Sequence, residues 1–212
     1  MTAAVTLGVP ARLNPPTTAE ELLAWPDEDP GEIVDGVFVP TYPDGVVTGA
    51  GGPHGVVANA IGALLYTHTR RHRLGRVFAA ETATRLRRNP DLVRCPDGMF
   101  VSYARLPGPI LRGVLEGPPD LAVEVLSPTN RPAKVARKVA DYLAYGVGLV
   151  WVMDTDARTI TVHRPRALPQ ALGGDDVLDG GDVLPGFAVV TAELFADLDA
   201  EPAPGVPAAE AR

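Results

Sequence analysis

PPDLAVEVLSPTNRPAKVARKVADYLAYG, residues Pro118 to Gly146, decides the fold. Leu121 to Leu126 is apolar except for Glu124, the pattern of a short strand buried on both faces. Ser127-Pro128 stops the run. A helical pattern follows from Ala133 to Tyr145, carries Lys134 and Lys138, and closes at Gly146. A carboxylate inside a buried strand is costly unless something pairs with it. Upstream, Pro96-Asp97 opens a second apolar run, Gly98 to Tyr103. Two acids on neighbouring strands, with a lysine on the next helix, form the residue set that metal-assisted phosphodiester cleavage needs.

Working outward, Thr17-Thr18-Ala19-Glu20-Glu21 has the form of a capping box, and Leu22, Leu23 and Trp25 give the short helix an apolar face. Glu32 to Pro40 alternates as a strand turning at Asp35-Gly36. Gly45 to Pro53 reads as a loop. From His54 to Arg73 the apolar residues recur at helical spacing, with Gly75 expected to end that helix. Strands are expected at Val77–Ala80, Thr82–Leu86 and Gly98–Tyr103, then at Leu149–Met153 and Thr159–His163, with a loop from Arg105 to Pro119. Asp176 to Val190 suggests short antiparallel strands before a small helix from Thr191. Residues 1–16 are expected to be a flexible arm, 17–198 a single domain and 199–212 a disordered Pro/Ala-rich tail.

A chain of 212 residues, 46% apolar and 21% charged, is long enough for one buried core and short for two domains. The single cysteine, Cys95, excludes an internal disulfide and is compatible with a cytoplasmic setting. No run reaches the length of a membrane span, and the first residues lack the pattern of a signal peptide. The net charge of −7 argues against broad coating of DNA. Its distribution is uneven: Arg70 to Arg94 holds eight arginines against Glu81 and Asp91, a local net of +6. Such a segment is either a phosphate-contacting edge, with Arg85, Arg87 and Arg88 as the DNA contacts, or a solvated helix end and hairpin.

The chain resembles the Uma-type family of bacterial restriction-endonuclease-like proteins, which share the PD-(D/E)XK nuclease core. The matching residues are Glu32-Ile33-Val34-Asp35-Gly36, His54, Pro96-Asp97, Pro119 to Pro128, and Lys138, Tyr142, Gly146 and Val147 at fixed spacing. Trp151-Val152-Met153-Asp154 is similar to the strand that follows in the family, so the likeness spans roughly residues 17 to 198. It implies an α/β fold: a central mixed sheet flanked by helices, with extra antiparallel strands. The implied activity is divalent-metal-dependent hydrolysis of DNA, with Asp97 and Glu124 holding Mg²⁺, or Mn²⁺, and Lys138 positioning or activating water.

The PD-(D/E)XK pattern expects lysine two residues after the acid, where this chain has Leu126. The resemblance moves that role to Lys138. Lys134, one turn earlier, stands where relatives often carry an acid, so it is a departure. Glu32 is implied as an additional ligand or proton acceptor, and His54 as a phosphate contact near a helix start. Each candidate has a plainer alternative. Asp97 would be a turn residue after Pro96, Glu124 a structural partner of Lys138, and the lysines a solvated helix face. Glu81 could face the same cleft, whereas Asp120 reads as a strand-opening residue, Tyr142 as a packing residue and Ser127 as a cap. No phosphate loop, paired-cysteine zinc site, His-Glu-x-x-His or Gly-x-Ser-x-Gly occurs. The main rival is a catalytically silent protein with the same fold that binds nucleic acid or a partner. A hydrolase of another phosphate ester is the third reading. A homodimer is expected on the ground that paired sites cut both strands.

Overall fold

The strand expected at Leu121–Leu126 is an interior strand of a six-stranded sheet in the computed structural model, which describes residues 15–25, 30–41, 51–110, 112–127 and 130–200. The expected arm up to residue 14, most of the glycine-rich loop, the stop at Pro128 and the tail from residue 201 lie outside the described residues. In chain order the elements are α1 (Ala19–Leu23), β1 (Gly31–Val34), β2 (Val37–Pro40), α2 (Gly52–His72), β3 (Gly75–Ala79), β4 (Thr84–Arg87), β5 (Leu92–Arg94), β6 (Gly98–Ser102), β7 (Leu115–Glu116) and β8 (Leu121–Leu126). Then come α3 (Pro132–Ala144), β9 (Leu149–Asp154), β10 (Thr159–His163), β11 (Gln170–Gly173), β12 (Val177–Asp179), β13 (Ala188–Val190) and a 3₁₀ helix, Thr191–Leu198.

The central sheet runs β11-β10-β9-β8-β6-β3. β8 and β9 are parallel, joined through α3, and the other pairs are antiparallel. A strand sends alternate side chains to opposite faces. Leu121, Val123 and Val125 therefore meet Val57, Ile61 and Leu65 of α2, while Ala122 meets Val139 and Tyr142 of α3. Glu124 keeps step with Ala122 and so points toward α3. That explains how one acid is accommodated in a strand whose other side chains are apolar.

A second sheet, β2-β1-β5-β4-β7, lies beside α3. Its Leu86 and Leu92 join the cluster around Tyr142, and its Ile33 and Val93 pack under Ala19 of α1. One stretch of chain serves both sheets: β5 ends at Arg94, and after Cys95-Pro96-Asp97 the chain enters β6 of the central sheet.

The α/β class with a mixed sheet flanked by helices stands, with three local corrections. The expected Thr82–Leu86 strand is β4 and belongs to the second sheet, not to the core. β5, β7 and β11 were not expected, because two to four residues are too few to show a period. Gly75 does not end α2. That left-handed position is Arg73, at φ 53°, and Gly75 opens β3 where a Cβ would stand 2.2 Å from the Val101 carbonyl oxygen.

Candidate active site

Glu124 is 7% exposed, and both its carboxylate oxygens are taken. Oε2 accepts from Lys138 Nζ at 2.6 Å and Oε1 from the Tyr142 hydroxyl at 2.7 Å. Lys138 and Tyr142 are four residues apart on α3, which stacks them on one helical face. In the antiparallel β6–β8 pairing Gly98 faces Val123, which sets Asp97, the residue just before β6, opposite Glu124. Asp97 Oδ2 accepts the Val125 N–H at 2.7 Å, and Oδ1 lies 3.2 Å from Nε2 of His54, in the first turn of α2.

Glu32 arrives from β1 of the second sheet. Its Oε2 accepts from Arg94 Nη1 at 2.7 Å; its Oε1 accepts the Cys95 N–H at 3.0 Å and lies 3.4 Å from Lys138 Nζ. Arg94 also bonds Asp141 of α3. All five expected site residues thus converge where the two sheets meet α3.

The two buried glutamates have opposite protonation behaviour. Burial, reinforced by the negative charges of Asp97 and Glu32, pushes Glu124 up to about 7 despite Lys138. Burial pushes Glu32 up as well, but Lys138, Arg94 and the Cys95 N–H outweigh it and hold Glu32 below the usual range. Burial works against the Lys138 ammonium, yet Glu124 and Glu32 keep it charged, with its pKa raised. The hydrogen bond to Asp97 raises His54. Burial pushes Cys95 up to about 12, so it remains a thiol. Among the described residues, four carboxyl groups (Asp97, Glu124, Glu32 and Asp141) meet two permanently basic side chains, Lys138 and Arg94, with His54 on Asp97.

Among the described residues no group of three or more His, Cys, Asp or Glu side chains is arranged as a metal cluster. The arrangement offers instead a pair of carboxylates on adjacent strands, hard oxygen donors of the kind Mg²⁺ takes, with a lysine in hydrogen-bond reach of one of them. A cavity of about 560 Å³ lies elsewhere, on the flank of α3 formed by Val135 and Val139 and over Leu126, Val152, Thr161 and His163. None of the five site residues lines it.

The family model Uma2, described as "Putative restriction endonuclease", matches residues 19–194. This chain belongs to the Uma2 family. The family description indicates a nuclease. The chain is similar to the crystal structure of a "putative nuclease belonging to DUF820" from Anabaena variabilis, with TM-score 0.70 and 21% identity over 85% of this chain and 98% of that one. No curated protein matches it. Among the described residues no helix is long and apolar enough to cross a membrane.

In this Uma2 chain the basic segment divides: Arg70, Arg71 and Arg73 are exposed at the end of α2, whereas Arg85, Arg87, Arg88 and Arg94 all pair with acids. Arg85 is 3% exposed and bonded to Glu20, Asp91 and Glu116, which ties α1 and β7 to β4. Arg87 pairs with Asp35, and Arg94 is buried at the site. Arg88, 58% exposed, pairs with Glu116 at 2.9 Å and alone of the expected DNA contacts remains largely at the surface. Asp120 is structural as expected, accepting the Ser102 N–H and pairing with Arg105. Glu81 is exposed in a turn at φ 67°, and Lys134 is exposed on α3. Arg94 and Tyr142 are the site residues the sequence reading missed. Their signals were an arginine ending an apolar strand and a tyrosine one helical turn beyond Lys138.

Proposed function

We propose that this chain is a divalent-metal-dependent endonuclease hydrolysing DNA phosphodiester bonds. The observation that carries the reading is the pairing of Asp97 with Glu124 on adjacent strands beside Lys138, within a set where acids outnumber lysine and arginine four to two. A divalent ion suits such an acid-rich set, and Mg²⁺ takes one or two carboxylates along with water and substrate phosphate. The donor set fits Mg²⁺, with Mn²⁺ as the second ion. Such an ion, when bound, polarises the phosphoryl oxygen and makes a water more acidic.

The chain's own groups divide the remaining work. The Val125 N–H fixes one oxygen of Asp97, and His54 holds the other. Lys138, kept charged between Glu124 and Glu32, offers its ammonium to the negative charge that develops on the phosphate. His54, its Nε2 directed at Asp97 from the first turn of α2, orients that carboxylate. Glu32 is already engaged by Arg94 and the Cys95 N–H, so its part is to hold Lys138. Cutting both strands needs two such sites, which a homodimer would supply; sedimentation beside the cleavage assay tests that arrangement.

One observation favours a silent protein that binds nucleic acid or a partner: every carboxylate oxygen of Asp97 and Glu124 already has an internal partner. The deciding experiment incubates plasmid and single-stranded DNA with Mg²⁺, Mn²⁺ or a chelator, beside Asp97→Ala. Metal-dependent cleavage that Asp97→Ala loses supports the nuclease. Binding without cleavage in either metal supports the silent reading.

A further inference from the structure

Both oxygens of Glu124 are occupied, yet by partners of different kinds. Tyr142 is fully buried in the last turn of α3, packed against β8, and its hydroxyl donates to Oε1. Lys138 is flexible, and its ammonium has a second seat: Glu32 Oε1 is 3.4 Å away, against 2.6 Å for Glu124 Oε2. The two contacts are therefore not equivalent. One is a fixed pin on the carboxyl group. The other is a cation that can be handed to a neighbouring acid.

We propose that Tyr142 is a positioning residue: it pins Glu124 Oε1, so that the Lys138 ammonium can pass to Glu32 and free Oε2 for a divalent ion. The inference rests on the metal-dependent reading of the same site. Without the pin, the Glu124 carboxyl can turn and offer both oxygens to Lys138, and the ammonium becomes harder to displace. The freed carboxyl must also be immobilised when an ion binds, which the hydroxyl now does in advance. Groups that hold a ligating carboxylate through a hydrogen bond typically change metal affinity by roughly 10–100-fold when removed. Burial and the nearby Glu124 keep the Tyr142 hydroxyl protonated, as a pin that donates must be.

Tyr142→Phe removes only the hydroxyl, and the phenyl ring fills the same space. The test is calorimetric titration of the full chain with Mn²⁺, with melting curves recorded on the same samples without metal. The expected result is Mn²⁺ affinity weakened about tenfold or more, a melting curve close to wild type, and cleavage that is lost at low Mn²⁺ but returns at high Mn²⁺. Equal Mn²⁺ affinity in the two proteins overturns the proposal. So does a lowered melting temperature with unchanged affinity, which would make the Tyr142 hydroxyl bond a structural contact only. A wild type that binds no Mn²⁺ overturns the metal-dependent reading itself and takes this inference with it.

Discussion

Replacing Lys138 by methionine tests the charge balance of the site most directly. Methionine keeps most of the stem and deletes the ammonium. Glu124 and Glu32, both under 9% exposed, then lose the cation that sits 2.6 and 3.4 Å from them. Removing one partner of a buried ion pair costs about 3–5 kcal/mol. For a chain of this size that lowers the melting temperature by roughly 6–20 °C. The sign of the pH dependence follows from Glu124. Its folded pKa is already raised to about 7 in wild type. Without Lys138, which lowers it, that pKa moves higher still. An acid with a raised folded pKa destabilises the fold when ionised, so the variant recovers stability as pH falls through that pKa. The gap from wild type is therefore expected to be wide at pH 8 and narrow near pH 5. Mn²⁺ is expected to raise the variant's melting temperature more than wild type's, because the ion fills the vacated charge. Cleavage is expected to fall by about 10²–10³, the scale of removing one preorganised donor to developing negative charge. The measurements are melting curves from pH 5 to 9 with and without Mn²⁺, plus single-turnover cleavage. A melting temperature that drops equally at pH 5 and pH 8, or Mn²⁺ binding that disappears, refutes the reasoning.

Asp97→Ala is expected to abolish both Mn²⁺ binding and metal-dependent cleavage, whereas Lys134→Ala, on an exposed part of α3, leaves both near wild type in the same assays. Arg85→Ala strands Asp91, 6% exposed, without its guanidinium and is expected to cost about 3–5 kcal/mol in denaturant unfolding. Arg88→Ala, on a largely exposed pair, is expected to stay within about 1 kcal/mol and to flatten the salt dependence of DNA binding. An Arg85→Ala protein with wild-type unfolding would show that the ion cluster does not anchor α1. Gly75→Ala forces a Cβ to 2.2 Å from a carbonyl oxygen and is expected to loosen the β3–β6 pairing, read as faster amide exchange at Phe100 and Val101.

Glu124 was legible because it broke a local pattern, an acid in an apolar run, whereas Lys138 was singled out from Lys134 by the family resemblance. Asp97 was legible as the residue opening the neighbouring apolar run. What the sequence could not carry was pairing across long separations. Arg94 and Glu32 are 62 residues apart, and Arg85 and Glu20 are 65 apart. A charge count over Arg70 to Arg94 therefore missed Glu20, Glu32, Asp35, Glu116 and Asp141, which pair with its later arginines from outside the segment. Tyr142 was read as a packing residue, and it does pack against β8; its hydroxyl bond to Glu124 depended on how α3 sits over β8. The second sheet escaped for a different reason: β5 and β7 are three and two residues long, and short segments acquire strand geometry from their partners rather than from their own composition.

The segment from Leu92 to Ser102 ends one sheet and begins the other, with Arg94 and Asp97 three positions apart across the join. Glu32 and Arg94 are thereby mounted on one sheet and Asp97 and Glu124 on the other, with Lys138 and Tyr142 between them on α3. The angle between the layers sets the separation of Glu32 from Glu124, and Lys138 spans that gap. An engineer wishing to graft a relative's second sheet onto this core would find it inseparable from the chemistry. The transplant would have to bring its own Glu32 and Arg94 at matching height, or the lysine would arrive with one seat missing.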